Sequence, residues 1–112
     1  MARYTCSYLV NAEIEQLPSL LNEILDSCGF EIIFEALGYI MARELPGNIA
    51  FSKLVSVDVF IDATKVHNQQ VPLTWVVKSD ELPLQQYNHC WQRFKEIQQQ
   101  IGEHRQWHLV AN

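Results

Sequence analysis

Four histidines, three cysteines and several carboxylate pairs are the side chains with which this sequence could do chemistry. His104 and His108 are four apart, a spacing that on a helix would bring two imidazoles to one metal ion. Their segment reads as a strand, where residues four apart lie ~13 Å from each other. His89 and Cys90 are neighbours on a predicted helix and diverge by about 100° around its axis. A nucleophilic thiol needs a base within hydrogen-bond reach and some exposure. Cys90 falls instead on an apolar stripe with Trp91 and Phe94, and His67 lies in a polar connector.

The acid pairs are Glu13/Glu15, Glu31/Glu35, Asp58/Asp62 and Asp80/Glu81. Asp58 and Asp62 share the outward side of a strand with Ser56, which a solvated sheet face explains without further chemistry. The glycines at 29, 38, 47 and 102 are too dispersed to build a phosphate-binding loop. Lys78-Ser79-Asp80-Glu81 precedes Asn88-His89-Cys90-Trp91 and reads as a helix start, with Ser79, Asp80 and Glu81 near the positive end of the helix dipole. The sequence therefore predicts no catalytic residue, no metal ligand and no cofactor.

The elements that would position these groups follow from hydrophobic period. Tyr4, Cys6, Tyr8 and Val10 alternate with Thr5, Ser7 and Leu9, which reads as a strand. Ile14, Leu17, Leu21, Ile24, Leu25 and Cys28 form the apolar stripe of a helix, with Asn11 as a plausible cap. Pro18 fits only a first turn, so the regular helix starts near Leu17, and Gly29 ends it. Phe30 to Glu44 mixes strand alternation with helix formers, and the preferred reading is one long strand bent at Gly38. Leu45-Pro46-Gly47-Asn48 is a turn by composition.

Val55, Val57, Val59 and Ile61 line one side of a further strand, with Ser56, Asp58, Phe60 and Asp62 on the other. Val71, Leu73, Trp75 and Val77 line the next. Asp80 to Gly102 reads as a second helix, with Leu84, Tyr87, Cys90, Trp91, Phe94, Ile97 and Ile101 on its apolar side and His89, Gln92, Arg93 and Glu96 on its wet side. A last short strand closes the pattern, with Arg105, Trp107 and Leu109 opposite His104, Gln106, His108 and Val110.

The predicted fold class is α+β, a single domain over residues 1–112: β-α-β-β-β-α-β, a mostly antiparallel sheet of about five strands with two helices on one face. That is a ferredoxin-like layout with an extra strand. At 112 residues and 48% hydrophobic content the chain can bury about two-thirds of its unfolded surface. The other sheet face stays open. Ile33, Leu37, Tyr39, Met41, Phe60 and Val76 make that open face apolar, which points to packing against a second copy as a homodimer.

Charge narrows the partners. Thirteen acidic residues against eight basic ones give a net charge of −5, and the lysines and arginines are scattered along the chain. A nucleic-acid backbone or an anionic membrane surface requires clustered cations, so neither is expected. The first residues lack the apolar core of a signal peptide, and no run approaches the ~20 apolar residues of a membrane span. Cys6, Cys28 and Cys90 are odd in number and lack a C-x-x-C spacing. They read as reduced, mostly buried thiols of a cytoplasmic protein.

Tyr39-Ile40-Met41-Ala42-Arg43-Glu44-Leu45-Pro46-Gly47 and Val77-Lys78-Ser79-Asp80-Glu81-Leu82-Pro83-Leu84, continuing through Asn88-His89-Cys90, resemble a family of small uncharacterised proteins from cyanobacteria. The resemblance implies a bacterial cytoplasmic setting and transfers no catalytic residues. Two functional readings follow from the residues. The leading one is a non-catalytic, homodimeric interaction or accessory module. The other is a small-molecule-binding or enzymatic dimeric α/β-barrel protein, whose pocket would use Tyr39, Trp75, His104 and His108.

Overall fold

The structure is a computed structural model, and it describes residues 2–47, 53–65, 70–80, 88–103 and 107–109. Strand β1 (Ala2–Asn11) leads through a short 3-10 turn (Ile14–Gln16) into α1 (Leu17–Ser27). Strands β2 (Phe30–Ala36), β3 (Tyr39–Glu44), β4 (Ser56–Ile61) and β5 (Gln70–Ser79) follow, then α2 (His89–Gly102) and β6 (Trp107–Leu109). All five strand pairings are antiparallel, and the sheet order is β2-β3-β4-β5-β1-β6. Among the described residues no helix is long and apolar enough to cross a membrane.

The α+β class, the antiparallel sheet and the two helices agree with expectation. The strand order differs from the ferredoxin-like layout, whose crossovers set parallel strands side by side. Here α1 carries the chain from β1 across three intervening strands to the far edge. The expected long strand over 30–44 is a hairpin. Ala36 lies opposite Tyr39, leaving Leu37 and Gly38 as its two-residue turn, and Gly38 adopts φ +83°. A residue with a Cβ rarely takes that conformation, which is why glycine stands there.

The sheet's inner face is set by period-two alternation. Tyr8 on β1 lies opposite Leu73, and Cys6 opposite Trp75; Trp75 in turn faces Val59 on β4, which faces Ile40 on β3. Trp75, Val59 and Ile40 are buried, as are Val57, Val71 and Val77. Leu17, Leu21, Ile24 and Leu25 of α1 and Cys90, Phe94, Ile97 and Ile101 of α2 join the same core. Both helices therefore cover one face, where apolar burial supplies most of the fold's stability.

Helix ends explain two further differences. The regular part of α1 starts at Leu17 with Pro18 in its first turn, as expected, while Asn11 belongs to β1 and Gln16 holds the cap position. The second helix was expected from Asp80, but Ser79 completes β5 and Asn88 is the helix cap: its side chain accepts a 2.7 Å bond from the Trp91 amide. The same Asn88 amide group donates to the Tyr4 hydroxyl at 3.2 Å, fixing the helix start to β1. Leu84 and Tyr87 of the expected stripe, together with His67 and His104, lie outside the described residues.

A Cβ at position 38 would sit 3.4 Å from the Ile61 carbonyl oxygen, on a backbone already at positive φ. Gly38→Ala is expected to lower unfolding free energy by about 1–2 kcal/mol, read from the midpoint of urea denaturation at unchanged slope.

Candidate functional site

The outer sheet face carries one aromatic cluster. The pairing register places Phe34 opposite Met41 and Met41 opposite Asp58; in the next row Ala36, Tyr39, Phe60 and Thr74 lie side by side. The ring of Tyr39 lies 5.8 Å from that of Phe34 and 5.2 Å from that of Phe60, both tilted contacts within the favourable range for aromatic pairs. Phe34 is 52% exposed and Phe60 46%, and Leu37 at the hairpin tip is 96% exposed.

Phe34 reaches this face through a β-bulge. The register shifts between Ile32 and Phe34, so Ile33 is the extra residue and everything beyond it changes sides. Strict alternation sets Phe34 inward beside Phe30 and Ile32; the bulge turns it outward instead. Of the residues expected on this face, Tyr39 and Met41 are half-buried, Ile33 is 43% exposed, and Val76 is buried.

Beneath the aromatic rings lies a polar centre. Asp58 is buried although it belongs to the outer face. Its Oδ1 accepts a 2.8 Å hydrogen bond from the Tyr39 hydroxyl, and its Oδ2 pairs with Lys78 Nζ at 2.7 Å. Loss of water around the phenol, and then the neighbouring carboxylate, raise the pKa of Tyr39 above that of an ordinary tyrosine. Asp58 and Asp62, paired in the sequence, have separate partners here: Asp62 accepts from the hydroxyl and amide of Thr64, which holds its carboxyl below the usual range.

A second polar constellation escaped sequence reasoning. Glu44, the last residue of β3, is buried on the inner face. His89 Nε2 donates to its two oxygens at 2.9 and 3.0 Å, Arg93 Nε lies 2.8 Å from Oε2, and the Val55 amide donates to Oε1 at 3.2 Å. Arg93 also donates to the Cys28 carbonyl at the end of α1 and to Glu96, and its guanidinium stands 4.8 Å over the Phe30 ring. His89 and Arg93, expected on the wet side of α2, thus point at β3. Their spacing of four places them on one side of the helix, and Glu44 continues the inward alternation of Ile40 and Ala42. Those were the available signals.

The pocket residues proposed from sequence do not converge. Trp75 is on the inner face and Tyr39 on the outer, on opposite sides of the sheet. His108 pairs with Leu9 at the β6 edge, and His104 lies outside the described residues. Among the described residues, no group of three or more histidine, cysteine, aspartate or glutamate side chains is arranged to hold a metal ion. All three thiols are free and buried, and burial raises the pKa of Cys28. No protein-family model, no curated protein and no solved structure matches this chain.

Removing one partner from the Glu44 cluster leaves a buried charge without compensation. Arg93→Ala is expected to cost about 3–5 kcal/mol in urea denaturation. At the outer site the folded pKa of Tyr39 exceeds its unfolded value, so its share of stability is complete below about pH 10, the ordinary tyrosine value. That share is lost as pH rises through the folded pKa, because the unfolded chain then binds fewer protons. Thermal melts from pH 8 upward should show a smaller alkaline decline in Tyr39→Phe than in the unaltered chain.

Proposed function

We propose that this chain is a non-catalytic interaction module, acting in a cytoplasmic setting, which pairs with a second copy of itself through the outer sheet face. The observation that carries this reading is the cluster of exposed Phe34, Phe60, Ile33 and Leu37 around half-buried Tyr39 at the β2–β4 end of that face. Apolar surface of this kind gains free energy when a partner excludes water from it. A two-fold axis through the cluster would lay each aromatic patch on its copy, making one self-complementary contact.

The available area supports a face-to-face arrangement. Five strands about 4.8 Å apart, each offering about seven residues of ~3.3 Å, present a flat footprint on the order of 550 Å² per copy. Side-chain relief raises that toward the ~600–800 Å² per partner typical of specific complexes. Pairing along the β2 edge is less favoured. That strand is bulged at Ile33 and carries Glu31 and Glu35, two devices that blunt an exposed edge. A protein partner also suits the net charge of −5 better than a nucleic acid does. Three buried thiols with no disulfide fit a reducing compartment.

Light scattering behind size-exclusion chromatography, on protein diluted over two decades, is expected to give twice the chain mass at the upper concentrations. Phe34→Glu introduces charge at the centre of the contact and should weaken self-association at least tenfold while leaving the far-ultraviolet circular dichroism unchanged. A chain mass of one copy at every concentration would overturn the reading.

A further inference from the structure

A cleft of about 590 Å³ opens on the outer face beside the aromatic cluster, where Ser7, Thr74, Leu9, Pro72, Phe60 and Lys65 contribute to its lining. Its size is that of a small-molecule site. Ser7 and Thr74 are direct cross-strand neighbours on β1 and β5, and Phe60 stands opposite Thr74 on β4. Two hydroxyls and one half-exposed ring therefore share a single row. Tyr39, the neighbour of Phe60 on its other side, braces that ring at 5.2 Å. Leu9 and Pro72, another opposed pair, add an apolar strip next to the hydroxyls.

Charge at the rim selects further. Lys65, on the short 3-10 turn Ala63–Lys65, has its side chain 76% exposed and lies 3.8 Å from Asp62. The Asp62 carboxylate also lines the cleft, but it is held by the hydroxyl and amide of Thr64 at 2.6 and 3.2 Å. The exposed ammonium can pair with a single negative charge, and the Asp62 carboxylate beside it disfavours a polyanion.

We propose that this cleft binds a small planar aromatic monoanion, its ring against Phe60, Leu9 and Pro72, its polar edge at Ser7 and Thr74, and its carboxylate or sulfonate at Lys65. The cleft shares Phe60 and the β5–β1 side of the outer face with the proposed self-association, so the titration is run at concentrations where the chain is a single copy.

The test is a fluorescence titration with 8-anilinonaphthalene-1-sulfonate, an aromatic monoanion, beside its neutral counterpart N-phenyl-1-naphthylamine. The sulfonate is expected to bind saturably, one per chain. Lys65→Met should weaken the sulfonate roughly three- to fivefold, the range for one exposed charge contact, and leave the neutral amine unchanged. Phe60→Ala should weaken both probes about tenfold. Phe34→Glu lies outside the cleft and should reduce self-association while keeping sulfonate affinity within about twofold of the unaltered chain, so failure of one proposal is visible without failure of the other. Unsaturable binding, an unchanged sulfonate affinity in Lys65→Met, or a loss in Phe34→Glu as large as that in Phe60→Ala would each overturn the cleft assignment.

Discussion

The carboxylate of Glu44 is the constraint around which the rest of the molecule is arranged. An ionised group on the core side of a sheet is tolerated only when its oxygens are fully engaged. Here the engagement comes from the first two turns of α2 through His89 and Arg93, and from the backbone entering β4 through Val55. Arg93 extends the arrangement to the Cys28 carbonyl, where α1 has run out of internal hydrogen-bond partners. One acidic side chain thereby fixes the rotation of α2, the end of α1 and the departure of β3. Apolar packing alone is less directional and would leave the two helices freer to slide.

That arrangement divides the labour of the two sheet faces. The inner face is covered by the two helices, whose apolar side chains and whose His89 and Arg93 engage it. On the outer face Asp58 is held between Tyr39 and Lys78. Aromatic rings close over that pair while remaining half-exposed. An ion pair with one buried partner contributes little net stability, yet it restricts how another surface can be laid against it. Orientation of a contact is the natural use of such a centre.

Much of the fold was legible because period-two burial leaves a direct trace: Val55, Val57, Val59 and Ile61 face inward, as do Val71, Leu73, Trp75 and Val77, apart from partial exposure at Ile61. The outer apolar face was legible in outline for the same reason. Four features were hidden. A glycine at a strand midpoint and a glycine at a hairpin tip look alike in sequence, so β2 and β3 merged into one strand. A bulge inserts one residue without a distinctive composition, so Phe34 was assigned the wrong face. The Glu44 cluster joins residues far apart in the chain, and long-range ion pairs leave no periodic signal. Asn88 capping α2 was obscured because Ser79, Asp80 and Glu81 formed an equally good start signal nearby.

Strand order also dictates a sequence of events in time. β1 leaves the ribosome before the other described strands, yet its neighbours are β5 and β6, so Ala2 must wait for Ser79 before its row of hydrogen bonds can close. β2, β3 and β4 each pair with the next strand along the chain, and these strands can zip together as they emerge. The amino-terminal strand then enters a slot whose far wall, β6, is the last described element of the chain to be made. Completion of the sheet is thereby tied to synthesis of β6, and a nascent chain truncated before β5 leaves Tyr4, Tyr8 and Val10 without the strand that pairs with theirs.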